Sequence, residues 1–174
     1  MRTSAKLMTA LLFLQTACLN DKLSQQEAEK ILGTKYPRVI ETYIYGGDAK
    51  YAQMLQAAGL DTEGYVTVKK TKKLGDNSGW VTYNAKALPY LLETSESDRK
   101  ALVQKVKAGE EQLSGIINIG QQDENGIADI TYTTKVTAIT PFGKLIKLKD
   151  GEAKQHKARL IKVDDRWQLK QDKK

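Results

Sequence analysis

The chain has 174 residues, with 28 lysines and arginines, 21 aspartates and glutamates, one histidine and one cysteine. This length suits one compact unit or two small subdomains that share an interface. The single cysteine excludes an internal disulfide, and the single histidine excludes a multi-histidine metal site. The formal charge is +7, of which Arg2 and Lys6 near the N-terminus contribute two; the remaining +5 favours anionic neighbours, and a solvated lysine surface explains most of it equally well.

Residues 1–17 have the layout of a bacterial export signal. Arg2 and Lys6 precede an apolar run from Leu7 to Leu14. The run is far shorter than the ~20 residues that a membrane-spanning helix needs, but it suits the apolar core of a signal peptide. The positive charges before it orient the chain out of the cytoplasm. We therefore expect the protein to be exported to the bacterial cell envelope.

Thr16, Ala17 and Cys18 resemble the lipobox of bacterial lipoproteins. The resemblance implies that the Cys18 thiol takes a diacylglycerol and that Cys18 becomes the first mature residue. Gln15 departs from the pattern, in which leucine is usual. Cleavage after Ala17 by the ordinary signal peptidase is the alternative, although it places bulky Gln15 where a small residue is preferred. Leu19 after the cysteine implies the outer membrane in a Gram-negative cell.

Residues 18–23 are predicted to be a lipidated tether, and residues 24–93 a subdomain of helices and a hairpin. Ser24 and Glu27 form a capping-box pair that starts a helix over residues 24–32. Residues 38–45 fit a strand and a helix equally. Asp48 caps a second helix, whose predicted apolar face consists of Tyr51, Met54, Leu55 and Ala58.

Residues 64–83 are two β-rich runs around a turn at residues 75–79, which predicts a hairpin. With the helix before it, this segment resembles the helix-then-wing half of winged-helix domains, which implies DNA contact at the lysines of the hairpin. Export argues against DNA. A solvated hairpin tip is the favoured interpretation and contact with anionic envelope material is the next. The lysines concerned are Lys69, Lys70, Lys72 and Lys73.

Residues 94–170 are predicted to be a helix followed by a sheet. The helix starts at Ser95 and stops at Gly109, and strands follow over residues 116–119, 127–139, 144–149, 152–163 and 166–171. The predicted fold class is α+β: N-terminal helices and a hairpin, then a helix and a four- to five-stranded antiparallel meander. This order of elements resembles the cystatin-like and NTF2-like folds. Residues 171–174 are predicted to be a basic tail.

Alternation along residues 127–139 places apolar residues on one face of a strand, which should be buried. These residues are Ala128, Ile130, Tyr132, Val136 and Ala138. Trp80 and Trp167 are predicted to fill the core. An exposed aromatic patch that includes Tyr43, Tyr45, Tyr83 and Tyr90 would instead indicate a protein-binding surface.

Groups that carry chemistry are sparse. His156 is interpreted as a surface or edge-strand residue. Three adjacent carboxylate pairs are predicted to lie at helix ends or turns, where such residues are favoured for backbone reasons. They are Glu110 with Glu111, Asp123 with Glu124, and Asp164 with Asp165. We assign no catalytic residue, no metal ligand and no cofactor.

These observations favour a non-enzymatic exported lipoprotein that binds another envelope protein or an anionic envelope polymer. The membrane is contacted through the lipid on Cys18, a protein partner is expected, and nucleic acid is not. A periplasmic immunity protein or enzyme inhibitor is the alternative. A hydrolase with an acid-based site and a winged-helix DNA-binding protein rank below both.

Overall fold

The structure is a computed structural model that describes residues 22–123 and 125–170. Its helices are α1 (Gln25–Gly33), α2 (Ala49–Ala57) and α3 (Glu96–Lys100), with 3-10 helices at Ala85–Tyr90 and Pro141–Ile146. Its strands are β1 (Arg38–Tyr45), β2 (Val66–Val68), β3 (Val81–Tyr83), β4 (Val103–Ile119), β5 (Ile127–Thr137), β6 (Ala153–Val163) and β7 (Arg166–Leu169).

One antiparallel sheet organises the described part of the chain. Its five strands lie in the order β1-β4-β5-β6-β7, and β2 pairs with β3 in a separate hairpin. The predicted α+β class with an antiparallel sheet is confirmed; the predicted four- to five-stranded meander has four strands, β4 to β7, and β1 adds the fifth strand of the sheet. Residues 38–45, which fitted helix and strand equally, form β1 at one edge of this sheet.

The helix predicted to reach Gly109 is wrong beyond Lys100. Leu102 has a left-handed backbone with φ of 58°, and β4 begins at the next residue. β1 pairs with β4 from Tyr45 opposite Val103 to Arg38 opposite Glu111. Pairing with β4 gives the backbone N–H and C=O groups of β1 hydrogen-bond partners, because no other described strand lies beside β1.

The strand predicted over residues 144–149 is also wrong, because a 3-10 helix occupies Pro141–Ile146. Pro141 suits a first helical turn, since it lacks the N–H that would have no partner there. Phe142 is fully buried and contacts Tyr65 and Tyr90 edge-on, at centroid distances of 6.1 and 6.2 Å. Burial of this ring holds the segment against the sheet.

The core is divided into two clusters. In the first, α1 packs on β5, β6 and β7; the second lies among β1, α2, β2, β4 and both 3-10 helices. The buried members of the first are Leu23, Ala28, Leu32, Ala128, Ile130, Tyr132, Leu160 and Trp167. Those of the second are Ile44, Leu55, Leu60, Val66, Ala87, Val106 and Phe142.

The predicted core positions are mostly confirmed. Four of the five alternating residues of β5 are buried, but Ala138 is exposed because the strand ends at Thr137. Trp167 is buried, whereas Trp80 is only half-buried and lies outside both clusters, with the Lys72 ammonium 5.4 Å from its ring centroid. On α2, Met54 is exposed and Ala52 is buried beside Leu55.

Candidate functional site

A polar network lies inside the sheet and joins four of its strands. Glu111 of β4, only 2% exposed, accepts a hydrogen bond from the Thr134 hydroxyl of β5 at 2.5 Å. The same oxygen, Oε1, lies 3.0 Å from Nε2 of His156 on β6. The other oxygen, Oε2, accepts from the Arg38 guanidinium at the start of β1. Both carboxylate oxygens therefore have donors.

Hydrogen-bond counting places a hydrogen on Nε2 of His156. Thr134 has one hydroxyl proton, and it goes to Glu111. His156 Nε2 lies 2.8 Å from the Thr134 oxygen and 3.0 Å from Glu111 Oε1, and a carboxylate only accepts. Nε2 must therefore carry a hydrogen that it donates to these two oxygens. The Tyr132 ring stacks on the imidazole at a centroid distance of 5.2 Å.

The surroundings of Glu111 keep its carboxylate ionised. Burial acts to raise the pKa, but the hydrogen bonds from Thr134, Arg38 and His156, together with the charge of Arg38, outweigh burial and lower it below the usual value. Burial raises the pKa of nearby Tyr36, and its hydrogen bond with the Tyr132 hydroxyl acts in the same direction. The network thus combines one ionised acceptor with the neutral phenol of Tyr36.

This arrangement can hold strands together, but it lacks a free nucleophile. The Thr134 hydroxyl is fully buried and its proton is engaged, and the Glu111 side chain, 2% exposed, already accepts from three donors and is shielded from a substrate. A general base needs a lone pair within reach of a substrate proton. We interpret the network as structural: it connects β1, β4, β5 and β6 at one level of the sheet.

The sequence pattern did not predict this network. Glu110 and Glu111 were predicted to lie at a helix end, which is wrong because both lie within β4, where Glu111 faces inward. His156 lies on β6, as predicted, but its ring is half-buried and hydrogen-bonded. One signal was available: His156 and Leu160 are four residues apart on a strand and so share a face.

The lysine-rich segment lies in the loop between β2 and β3. Lys69 forms an ion pair with Asp76 at 3.3 Å and also donates to Ser78. The hydrogen bonds from Ser78 lower the pKa of Asp76 to about 2. Lys72 lies over Trp80, while Lys70 and Lys73 are exposed. Two of the four predicted anion contacts thus organise the loop and two face solvent.

Cys18 lies outside the described residues, but the chain is fixed five residues after it. The Leu23 backbone N–H donates to Gln122 Oε1 at 2.9 Å, and the Gln122 amide donates to the Leu23 carbonyl at 3.2 Å. The Leu23 side chain is buried in the first core cluster. No helix among the described residues is long and apolar enough to cross a membrane.

An open cavity of about 670 Å³ lies between the end of α1 and the sheet, where β7 ends. Its apolar lining includes Leu32, Tyr132 and Leu169. Its charged lining consists of four basic residues and one acid, namely Lys35, Lys157, Arg159, Lys170 and Asp129. Asp129 accepts from Arg159 through both oxygens, at 2.7 and 3.1 Å.

Comparison of the chain with protein-family models, curated proteins and solved structures finds no match. Within residues 22–123 and 125–170, no group of three or more histidine, cysteine, aspartate and glutamate side chains is placed to hold a metal ion. Assignment of a function therefore depends on the residues themselves.

Proposed function

We propose that this protein is an exported lipoprotein that is anchored to the membrane through Cys18 and binds another component of the bacterial envelope without catalysing a reaction. The export signal and the lipobox-like Thr16-Ala17-Cys18 support the anchor. Several acyl chains at roughly 0.8 kcal/mol per buried CH₂ hold a protein on a bilayer permanently.

The observation that carries this proposal is the signal-like run that ends at Thr16-Ala17-Cys18. The position of Leu23 then limits how far the folded domain can lie from the proposed anchor. The Leu23 backbone is bonded to Gln122 and its side chain is buried, so the folded domain begins at most five residues from the proposed anchor. A fully extended chain of that length spans about 17 Å. The end of the sheet that carries the β4–β5 turn is therefore held next to the membrane.

The lysine-rich loop lies at the other end of β4. The Trp80 N–H donates to the Gly46 carbonyl at 2.7 Å, and Gly46 N–H donates to Leu102, just before β4 begins. β4 has 17 residues, and its contour length at ~3.3 Å per residue is roughly 55 Å. Lys70 and Lys73 therefore lie near the end of β4 that is remote from the proposed anchor.

The proposal is tested by metabolic labelling with palmitate in a bacterial cell. We expect the full chain to be labelled and to fractionate with membranes. Cys18→Ala should lose the label, because the chain has no other cysteine that could replace it.

Gln15→Leu provides the matched control, because it restores the usual lipobox residue without altering the cysteine. Its labelling should equal or exceed that of the unmodified chain. Equal labelling of the unmodified chain and Cys18→Ala would refute attachment at this residue.

A further inference from the structure

The edge of the main sheet at β6 is only partly covered. β6 pairs with β5 from Ala153 to Ile161, but β7 pairs only with its last four residues, Leu160–Val163. Beyond β7, the Arg159 carbonyl accepts from the Lys170 N–H at 2.9 Å. No described strand lies beside the segment from Ala153 to Ala158, which we call the free edge.

The alternation of hydrogen bonds along β6 shows which backbone groups the free edge presents to solvent. The Glu152 carbonyl accepts from Val136 and the Lys162 N–H donates to Gly126, so even-numbered residues of β6 bond to β5. The odd-numbered residues point away from β5. Ala153, Gln155 and Lys157 therefore each direct an N–H and a C=O outward, which is the template for an added strand.

The free edge is held rigid for such an addition. The side chain of His156, at its centre, donates to Glu111 and Thr134, so the polar network fixes this part of β6 against β4 and β5. Tyr132 stacks on the same ring. A preorganised edge lowers the entropy cost of binding an extended segment.

Charge and shape indicate the partner. Lys154 and Lys157 are exposed on the free edge, and Lys35 and Lys170 line the adjoining cavity. The cavity lies along the line that β7 would follow if it continued past Lys170. A segment added there would place side chains beside Leu169, which is half-buried in the cavity lining.

We propose that the free edge binds an extended acidic segment of a partner protein by strand addition, antiparallel to β6 and in line with β7. Main-chain hydrogen bonds to Ala153, Gln155 and Lys157 supply the affinity. The lysines of the edge and the cavity select a partner segment with acidic side chains. This inference rests on the binding role proposed above and names its partner class.

The test uses the full chain and two synthetic peptides, acetyl-(Glu-Val)4-amide and acetyl-(Lys-Val)4-amide, with binding followed by titration calorimetry. We expect the acidic peptide to bind at least tenfold more tightly than the basic one. Gln155→Pro removes one outward N–H and no bond to β5, so it should weaken acidic-peptide binding at least tenfold. Gln155→Thr, which keeps the N–H, should bind within twofold of the unmodified chain.

The double variant Lys154→Glu with Lys157→Glu should exchange the preference between the two peptides. Circular dichroism checks that each variant is folded. Equal binding of the two peptides, or no effect of Gln155→Pro, would overturn the inference. A tenfold gain in affinity for the acidic peptide on truncation after Lys170 would also overturn it, because the chain's own tail would then be the segment that occupies the free edge.

Failure of this inference is distinguishable from failure of the proposed function. Palmitate labelling of Cys18 reports the anchor and is independent of the edge. Peptide binding reports the edge and is independent of the lipid. Loss of peptide binding with labelling intact refutes the edge alone, and the reverse result refutes the anchor alone.

Discussion

Glu111 shows how a buried charge can be accommodated in this sheet. An ionised carboxylate in the interior is costly unless its lone pairs are satisfied. Here Arg38, Thr134 and His156 supply three donors from three other strands, and Arg38, 61% exposed, brings the opposite charge from the surface. Removal of the charge should therefore affect stability in a pH-dependent way.

We predict that Glu111→Gln lowers the free energy of unfolding by on the order of 1–3 kcal/mol at neutral pH. Because the pKa of Glu111 is lowered in the folded state, its contribution is complete above about pH 4.3, the ordinary value, and is lost as the pH falls through the folded-state pKa. Urea denaturation across this range should show the two proteins converging on acidification.

Glu110→Gln is the control for that experiment, since Glu110 is the adjacent residue on β4 and pairs with Lys107 at 2.5 Å. Its cost should stay below about 1 kcal/mol. If the difference in unfolding free energy between Glu111→Gln and the unmodified chain did not change with pH, the electrostatic explanation would be wrong.

At the scale of elements, the 3-10 helix at Pro141–Ile146 packs closely against β4 at Gly143. A Cβ on Gly143 would lie 2.7 Å from the Ala108 carbonyl oxygen and 2.6 Å from the Ile139 side chain. The backbone oxygen has little freedom to move, because Ala108 belongs to β4. Only glycine fits this contact.

We predict that Gly143→Ala lowers the free energy of unfolding by about 1–3 kcal/mol through overpacking. Gly33→Ala is the matched control: Gly33 ends α1 and a Cβ there would meet nothing within 4 Å. It should leave stability unchanged or raise it by roughly 0.4–1 kcal/mol. Thermal melts of both variants measure the change in stability. Equal changes for Gly143→Ala and Gly33→Ala would contradict the close contact between Gly143 and Ala108.

For the whole molecule, the proposed lipid anchor at Cys18 predicts an orientation relative to the membrane. Trp167 shares the first core cluster with Leu23, which lies nearest to Cys18. Trp80 lies beside Gly46, at the opposite end of β4. The two tryptophans are thus natural reporters for the two ends of the domain.

We predict unequal quenching of the two tryptophans when the lipidated protein is placed in vesicles that carry nitroxide-labelled headgroups. Trp80→Phe retains Trp167 and should be strongly quenched, because its end is held near the bilayer. Trp167→Phe retains Trp80 and should be quenched little. Equal quenching, with both variants folded and lipidated, would contradict the orientation.

Features that depend on neighbouring residues could be predicted from the sequence. The buried face of β5 and the position of Trp167 on β7 follow from strand alternation, which is local. The Asp48 cap of α2 is local too, since its side chain accepts from the N–H of Lys50 two residues on. Glu111 could not be predicted in this way, because its three donors come from distant parts of the chain.

The sequence by itself predicted an export signal that ends at Cys18, the strands β5, β6 and β7 and the inward face of β5, because each depends on local order and periodicity. Only the tertiary structure decided that residues 103–109 are strand, that Glu111 is buried among donors, and that no described strand lies on the outer side of β6 from Ala153 to Ala158. The reason is physical: each of these depends on which distant backbone or side-chain groups supply hydrogen-bond partners.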